Sequence, residues 1–374
     1  RDRQLETRDS FGVFHDFQFS DLIEESGIRF LHRCADDSGR YWKPVHYDHG
    51  NGIAVADVDG DDRYDIYFVN QIGANQLWRN LGGGKFEDIT ESAGVAVYDR
   101  VSVGASFADV DNDGDPDLYV SVVRTGNLLF ENDGTGKFKD VTQQSGLGYK
   151  GHSSGAVFFD YDRDGLLDLF LTNVGQYTTE QLRPMTIEPT GNLYESGEYS
   201  FYDGFSDAFT GHLIPERAEG SILFKNSGAN RFVDVTEGAG LLDAGWSGDA
   251  SPIDVNQDGW PDLYVLDMEG NDEYYENFNG KYFVKKDSVF PKTPWGAMGI
   301  KAFDYDNDGD MDVFITDMHS DMSELVGVER EKLKSRMQWD ETQLQGGDNN
   351  VFGNAFYRNL GRAGVKVSAI CMGS

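Results

Sequence analysis

The 374-residue sequence predicts an all-β chain, a β-propeller of four-stranded antiparallel blades. Three observations predict it. An acidic loop recurs five times, starting at Asp57, Asp109, Asp160, Asp254 and Asp304. Those starts lie 52, 51, 94 and 50 residues apart, and such a period marks a propeller or solenoid, not a string of separate domains. Each loop stands between short segments that alternate apolar and polar residues, the pattern of half-buried strands.

The strands of each repeat follow in a fixed order. Small and apolar residues at 52–56, 104–108 and 155–159 make the first strand, which leads into the loop. A β-forming run comes out of it: Ile66-Tyr67-Phe68, Leu118-Tyr119-Val120, Leu169-Phe170-Leu171, Leu263-Tyr264-Val265 and Val313-Phe314-Ile315. The aromatic residues in these runs are read as blade packing. A third strand lies at 76–80, 127–132, 221–226, 273–277 and 355–359. A glycine-rich turn such as 81–85 then leads to a fourth, written Phe-x-Asp-x-Thr and starting at Phe86, Phe138 and Phe232.

The fifth repeat has no such fourth element after Asn359, whereas a spare copy stands at 19–28, beginning with Phe19. The expected architecture is therefore a five-bladed ring closed by this N-terminal strand, which leaves no exposed edge, or part of a larger ring. A single domain spans 19–361, with insertions at 176–219 and 317–353 and terminal tails at 1–18 and 362–374. Antiparallel order puts the acidic loops and the tight third-to-fourth turns on one face. Both insertions then fall on the opposite face, between second and third strands, where variable loops on a rigid scaffold build sites.

Composition narrows the functional classes. Sixty-five acidic residues against 32 basic ones give a net charge of −33, which argues against nucleic-acid binding. A hydrophobic content of 39% with 13% aromatics is enough to build a core and argues against an acidic disordered chain. No run of about eighteen apolar residues occurs, so no membrane-spanning helix is expected. Cys34 and Cys371 are too few for a disulfide framework, and are either free or joined across the two ends.

The acidic loops carry the clearest chemistry. Carboxylates at positions one, three, five and nine converge on one point, with a glycine at position six for the sharp turn. The candidate ligands are Asp57, Asp59, Asp61 and Asp65 in the first loop and Asp109, Asp111, Asp113 and Asp117 in the second. The third supplies Asp160, Asp162, Asp164 and Asp168, the fourth Asp254, Asn256, Asp258 and Asp262, and the fifth Asp304, Asp306, Asp308 and Asp312. Asp115, Leu166, Trp260 and Asp310 stand at position seven, where the backbone carbonyl completes the cage. Position twelve is Phe68, Val120, Leu171, Val265 or Ile315, and an apolar residue there excludes an EF-hand, which needs a bidentate Glu. The expected cofactor is calcium, up to five ions. Asn256 makes the fourth site weaker, and the first loop is the least regular, with Asp62 at position six and Gly60 two positions earlier.

The repeated unit resembles the FG-GAP or VCBS repeat of integrin-α-type propellers. Its joined form, a Phe-x-Asp-x-Thr element followed by Asp-x-Asp-x-Asp-Gly-x-x-Asp, is similar to the cartilage acidic protein and ASPIC/UnbV family. The resemblance covers about residues 19–361 and implies calcium-binding blades in an extracellular or periplasmic, secreted protein. Integrin-like relatives have seven blades, so the larger ring in question is seven-bladed.

The ligand is expected on the insertion-bearing face. Tyr177, Tyr194, Tyr199, Phe201, Tyr202, Phe205 and Phe209 crowd the first insertion, either to stack sugars or anchor a protein, or to pack a lid over the ring. The second insertion reads as a helix over 322–344 with Leu325, Val328, Leu333 and Met337 on one stripe. Trp42, Trp246 and Trp295 rim the same face or pack within it. The resulting expectation is a binding or adhesion module for protein or carbohydrate. The alternative is a lyase or hydrolase using His49, His152 and His212 with Arg100 or Arg217 at that mouth. No HExxH, GxSxG or phosphate-loop pattern supports catalysis.

Overall fold

The computed structural model describes residues 20–33, 52–187, 197–205, 214–243, 245–268, 270–317, 350–351, 353–361 and 368–371. They form five four-stranded antiparallel sheets arranged as the blades of a propeller. The first blade is β1 (Ile53–Ala56), β2 (Asp65–Phe68), β3 (Gln76–Gly82) and β4 (Lys85–Asp88). The second is β5 (Ser102–Ala108), β6 (Asp117–Val122), β7 (Leu128–Asn132) and β8 (Phe138–Asp140). In the third, β9 (Ser153–Phe159) and β10 (Asp168–Asn173) are separated from β13 (Ile222–Asn226) and β14 (Phe232–Asp234) by a hairpin, β11 (Thr178–Ile187) and β12 (Gly197–Gly204). The fourth is β15 (Ser247–Ile253), β16 (Asp262–Asp267), β17 (Glu273–Asn277) and β18 (Phe283–Lys285). A short β19 (Thr293–Pro294) precedes the fifth, β20 (Ala297–Phe303), β21 (Asp312–Asp317), β23 (Ala355–Arg358) and β24 (Ser368–Cys371), and β19 pairs in parallel with β22 (Asn350–Val351).

The first strands of successive blades lie side by side around the axis, and glycine permits the approach. A Cβ on Gly52 would stand 2.9 Å from Gly104 Cα, and one on Gly104 would stand 2.9 Å from the Ser154 carbonyl. Serines bond the blades here: Ser106 donates to the Ala156 carbonyl and Ser154 to the Gly248 carbonyl, both at 2.7 Å. Between blades the core is apolar. Tyr67, Tyr119, Phe170 and Tyr264 of the second strands are fully buried, as blade packing requires.

Only the first half of each Phe-x-Asp-x-Thr element is a strand. After Asp88 the chain makes one helical turn, Thr90–Ala93, closed by Gly94 at φ +79. The Asp88 carboxylate accepts from the Thr90 N–H at 3.0 Å and from its hydroxyl at 2.5 Å, which ends the strand. Thr90 Oγ1 in turn accepts the Leu77 N–H at 2.9 Å. Asp234 with Thr236 repeats the arrangement, and Asp140 with Thr142 repeats it except that the Thr142 hydroxyl donates to the Leu129 carbonyl at 3.4 Å.

The segment beginning at Phe19 does not supply the fifth blade's fourth strand. Its described part, from residue 20, keeps only the helical half: Asp21 accepts the Ile23 N–H at 3.0 Å, Ile23–Ser26 make the turn, and Gly27 ends it at φ +87. This turn packs on the first blade, where a Cβ on Gly27 would stand 3.2 Å from the Phe86 carbonyl. The edge of β23 is taken by β24, from residues read in the sequence as a tail. An edge strand needs only backbone pairing, so no Phe-x-Asp signature marks it.

Both insertions leave between second and third strands, on the face away from the acidic loops. The base of the hairpin β11–β12 packs against residues of the first four blades. Tyr177 joins Ile72, Val101, Val123, Val174 and Trp246 in one buried cluster, and Tyr202 and Phe205 pack against it. The helix expected at 322–344, together with Cys34, Trp42, His49 and His212, lies outside the described residues.

Candidate metal centres

All five acidic loops fold alike because the aspartate at position one ties down amides of its own loop. Asp109 accepts the N–H groups of Asp113 and Gly114 at 3.1 and 3.0 Å, and Asp160, Asp254 and Asp304 do the same. In every loop the position-five aspartate accepts the position-seven N–H at 2.9 or 3.0 Å. Positions four and six are left-handed, as at Asn112 (φ 61) and Gly114 (φ 99). The first loop keeps this geometry with its glycine moved, Gly60 at φ 71 and Asp62 at φ 63. Its irregular sequence therefore encodes a regular turn.

Position nine is a buried tie between strands. Asp65, Asp117, Asp168, Asp262 and Asp312 are all buried. One carboxylate oxygen of each accepts the amide N–H of an asparagine at the end of the third strand: Asn80, Asn132, Asn226, Asn277 and Asn359, at 2.7 or 2.8 Å. The other oxygen accepts the position-two N–H in the first, second, third and fifth loops. In the fourth, the Tyr274 hydroxyl donates to it at 2.5 Å. Burial pushes the carboxyls of Asp117, Asp168 and Asp262 up to about 7.

Position three is left over. Asp59, Asp111, Asp162 and Asp306 each carry a buried Oδ1 with no hydrogen-bond partner. Ligand oxygens within 4.8 Å of one another come from Asp57, Asp59 and Asp61; from Asp109, Asp111 and Asp117; from Asp160, Asp162 and Asp168; and from Asp304, Asp306 and Asp308. An unpaired buried carboxylate oxygen is costly, and an all-oxygen set of this kind fits a hard cation of calcium's size. In the fourth loop Asn256 Oδ1 instead accepts the Asp258 N–H at 2.9 Å. Of the position-seven residues, Trp260 lies under the Arg163 guanidinium of the preceding blade, 5.2 Å from ring centroid to Cζ.

Residues 57–120, 109–171 and 254–315 match the FG-GAP-like repeat. The chain is an FG-GAP-repeat propeller. It is similar to cartilage acidic protein 1 of Xenopus tropicalis, 30% identical over 131 residues that cover 34% of this chain and 20% of that protein. The Mus musculus protein of the same name is 28% identical over 170 residues, 42% of this chain and 24% of that one. The matched stretches thus span about a quarter or less of these relatives' length. Among solved structures, the V. cholerae biofilm matrix protein Bap1 is similar at 14% identity and a TM-score of 0.36, over 72% of this chain and 34% of that one.

On the opposite face of the propeller, His152 is buried and both its ring nitrogens are engaged. Nδ1 lies 2.8 Å from Glu219 Oε1 and Nε2 lies 2.7 Å from Thr178 Oγ1. Its backbone N–H donates to Glu219 Oε2 at 2.6 Å, so these groups moor the hairpin to the third blade. Despite its burial, the Glu219 carboxyl is held below its usual range by His152. Arg100 pairs with Asp99 at 2.9 Å and donates to the Gly126 carbonyl at 2.8 Å, and Arg217 covers the Phe205 ring at 4.3 Å. Trp246 and Trp295 are buried. Among the described residues no helix is long and apolar enough to cross a membrane.

Sequence reasoning missed the asparagine that closes each third strand and the residue just before it. The asparagine recurs at one position in all five repeats and the residue before it is always charged, though of either sign, which is the signal that marks them.

Proposed function

We propose that this chain is a calcium-stabilised extracellular module that binds a protein or glycan ligand on the face opposite its acidic loops. The observation that carries the calcium reading is the buried, unpaired Oδ1 at position three in four of the five loops. The ion would be held by the carboxylates at positions one, three, five and nine with the position-seven carbonyl. It supplies positive charge to a loop that otherwise concentrates like charges. Binding the folded state alone, it stabilises the blade by linkage. The acidic loops thus support the scaffold, and the opposite face, built of inter-blade connections and the two insertions, is left for the ligand.

Thermal melts in calcium and in excess chelator test the first half. A large drop in melting temperature on chelation is expected, and superimposable curves would remove the calcium role. A glycan array run alongside an assay of oligosaccharide release tests the second half. Binding without turnover is expected, and turnover would replace the module with an enzyme.

A further inference from the structure

The side chain just before the blade asparagine changes sign around the ring: Arg79, Glu131, Lys225, Glu276 and Arg358. In the third blade the Lys225 ammonium sits between two carboxylates of its own loop, bonded to Asp162 and 2.9 Å from Asp164. In the fifth, Arg358 lies 2.5 Å from Asp306 and 3.4 Å from Asp308. In the first, Arg79 lies 3.8 Å from Asp59 and 2.6 Å from Glu87, and Arg63 pairs with Asp61. Apart from Glu87, which lies on the first blade's fourth strand, these partners are the position-three and position-five carboxylates, the ones a divalent ion would need.

The second blade is built the other way. Glu131 stands where the others have a base, and Asn230 of the third blade donates to both Glu131 and Asp111, at 3.1 and 3.2 Å. Among the described residues no lysine or arginine forms an ion pair with any of the five aspartates from Asp109 to Asp117. The fourth blade lies between. Asn256 removes one charge from its loop and Glu276, paired with Lys286 at 3.6 Å, restores one nearby.

We propose that Arg79, Lys225 and Arg358 are built-in counter-ions that compete with calcium for the first, third and fifth loops, so that the second loop, backed by Glu131, is the high-affinity site. The inference rests on the calcium reading above. Calcium entering the third loop must displace the Lys225 ammonium and break two ion pairs. Entering the second it meets no cation and one more carboxylate. The propeller fills in order as calcium rises, the second loop first.

Calorimetric titration of the decalcified full chain with calcium alone tests this, with melts in chelator to show that each variant folds. The wild type should show one tight site and weaker ones. Glu131→Lys should weaken the tight site by about tenfold or more, and Lys225→Gln should add a second tight site. Five equivalent sites, or a Lys225→Gln protein with an unchanged number of tight sites, would overturn the inference and leave the calcium reading intact. Absence of calcium binding in the wild type and every variant would overturn both.

Discussion

Asn226 of the third blade donates from Nδ2 to the carbonyl of Val110 in the second blade's acidic loop, 2.7 Å away and 116 residues apart in sequence. The same bond joins Asn132 to Val58, Asn277 to Tyr161 and Asn359 to Val255. The carbonyl belongs to the residue at position two, whose N–H in the second loop is held by Asp117 at 3.1 Å. Each such loop is therefore gripped by its own blade on one side and by the next blade on the other.

Replacing Asn226 by Ala removes the bonds to Val110 and Leu167 and frees the Gly228 N–H, which its Oδ1 accepts at 2.9 Å. A loss of about 2–4 kcal/mol follows from leaving buried partners unsatisfied. Urea unfolding in the presence of chelator measures it, and a loss below about 0.5 kcal/mol would show that the inter-blade bond does not hold the ring.

The second loop separates ion-binding from structural carboxylates. Asp111→Asn keeps an acceptor for Asn230 and copies the Asn256 of the fourth loop. It should weaken calcium binding while moving the stability of the decalcified protein by no more than about 0.5 kcal/mol. Asp117→Ala frees the amides of Val110 and Asn132, and should destabilise even the decalcified protein by about 2–4 kcal/mol. Equal effects of the two variants in chelator would contradict this division.

Much of this architecture was legible in the sequence because it repeats. Five loops at one spacing identify the blades, and strand alternation alone assigns the two faces. The asparagine clamp was not legible, since Asn226 and Val110 share no local pattern and meet only when blades pack. The helical turn after Asp88 was hidden inside a motif that begins as a strand, and β24 has no motif at all. Residues Tyr177, Tyr202 and Phe205 read as a binding patch or as a lid, and in the structure Tyr177 is buried with Trp246 and Ile72 while Tyr202 and Phe205 pack against that cluster.

The helical turns end in glycines that face the next blade. A Cβ on Gly240, at φ +75, would stand 2.8 Å from the Phe283 carbonyl oxygen. Gly240→Ala should cost about 2–3 kcal/mol through backbone strain and overpacking together. Gly114, at φ +99, has open space where a Cβ would stand, with nothing within 4 Å, so Gly114→Ala carries the backbone cost alone. Its loss should stay at about 1–2 kcal/mol. Similar losses in paired chemical melts would show that inter-blade contact at Gly240 adds nothing.

Asp272 stands where other blades have Asn75, Asn127 or Asn354. Asn75 accepts the Asn70 N–H at 2.7 Å and donates to the Tyr67 hydroxyl at 2.9 Å. Asp272 likewise accepts the Asp267 N–H at 2.9 Å, and the Tyr264 hydroxyl donates to it at 3.0 Å. Burial holds its carboxyl well above the ordinary range, and Asp317 and Glu273 nearby push it the same way. A raised carboxyl keeps its proton in the folded state after the unfolded chain has lost it. Its contribution is complete below the ordinary range, near about pH 3.9, and is lost as pH rises toward the folded value. Asp272→Asn removes that loss while keeping the size and the acceptor oxygen. The variant should match the wild type near about pH 4 and exceed it by a margin that grows as pH rises toward about pH 8. The raised carboxyls of Asp117, Asp168 and Asp262 titrate in both proteins and cancel in the difference. Unfolding curves of both proteins across this interval, in chelator, check it. A difference that stays constant or shrinks with rising pH would mean that Asp272 is ionised in the folded propeller.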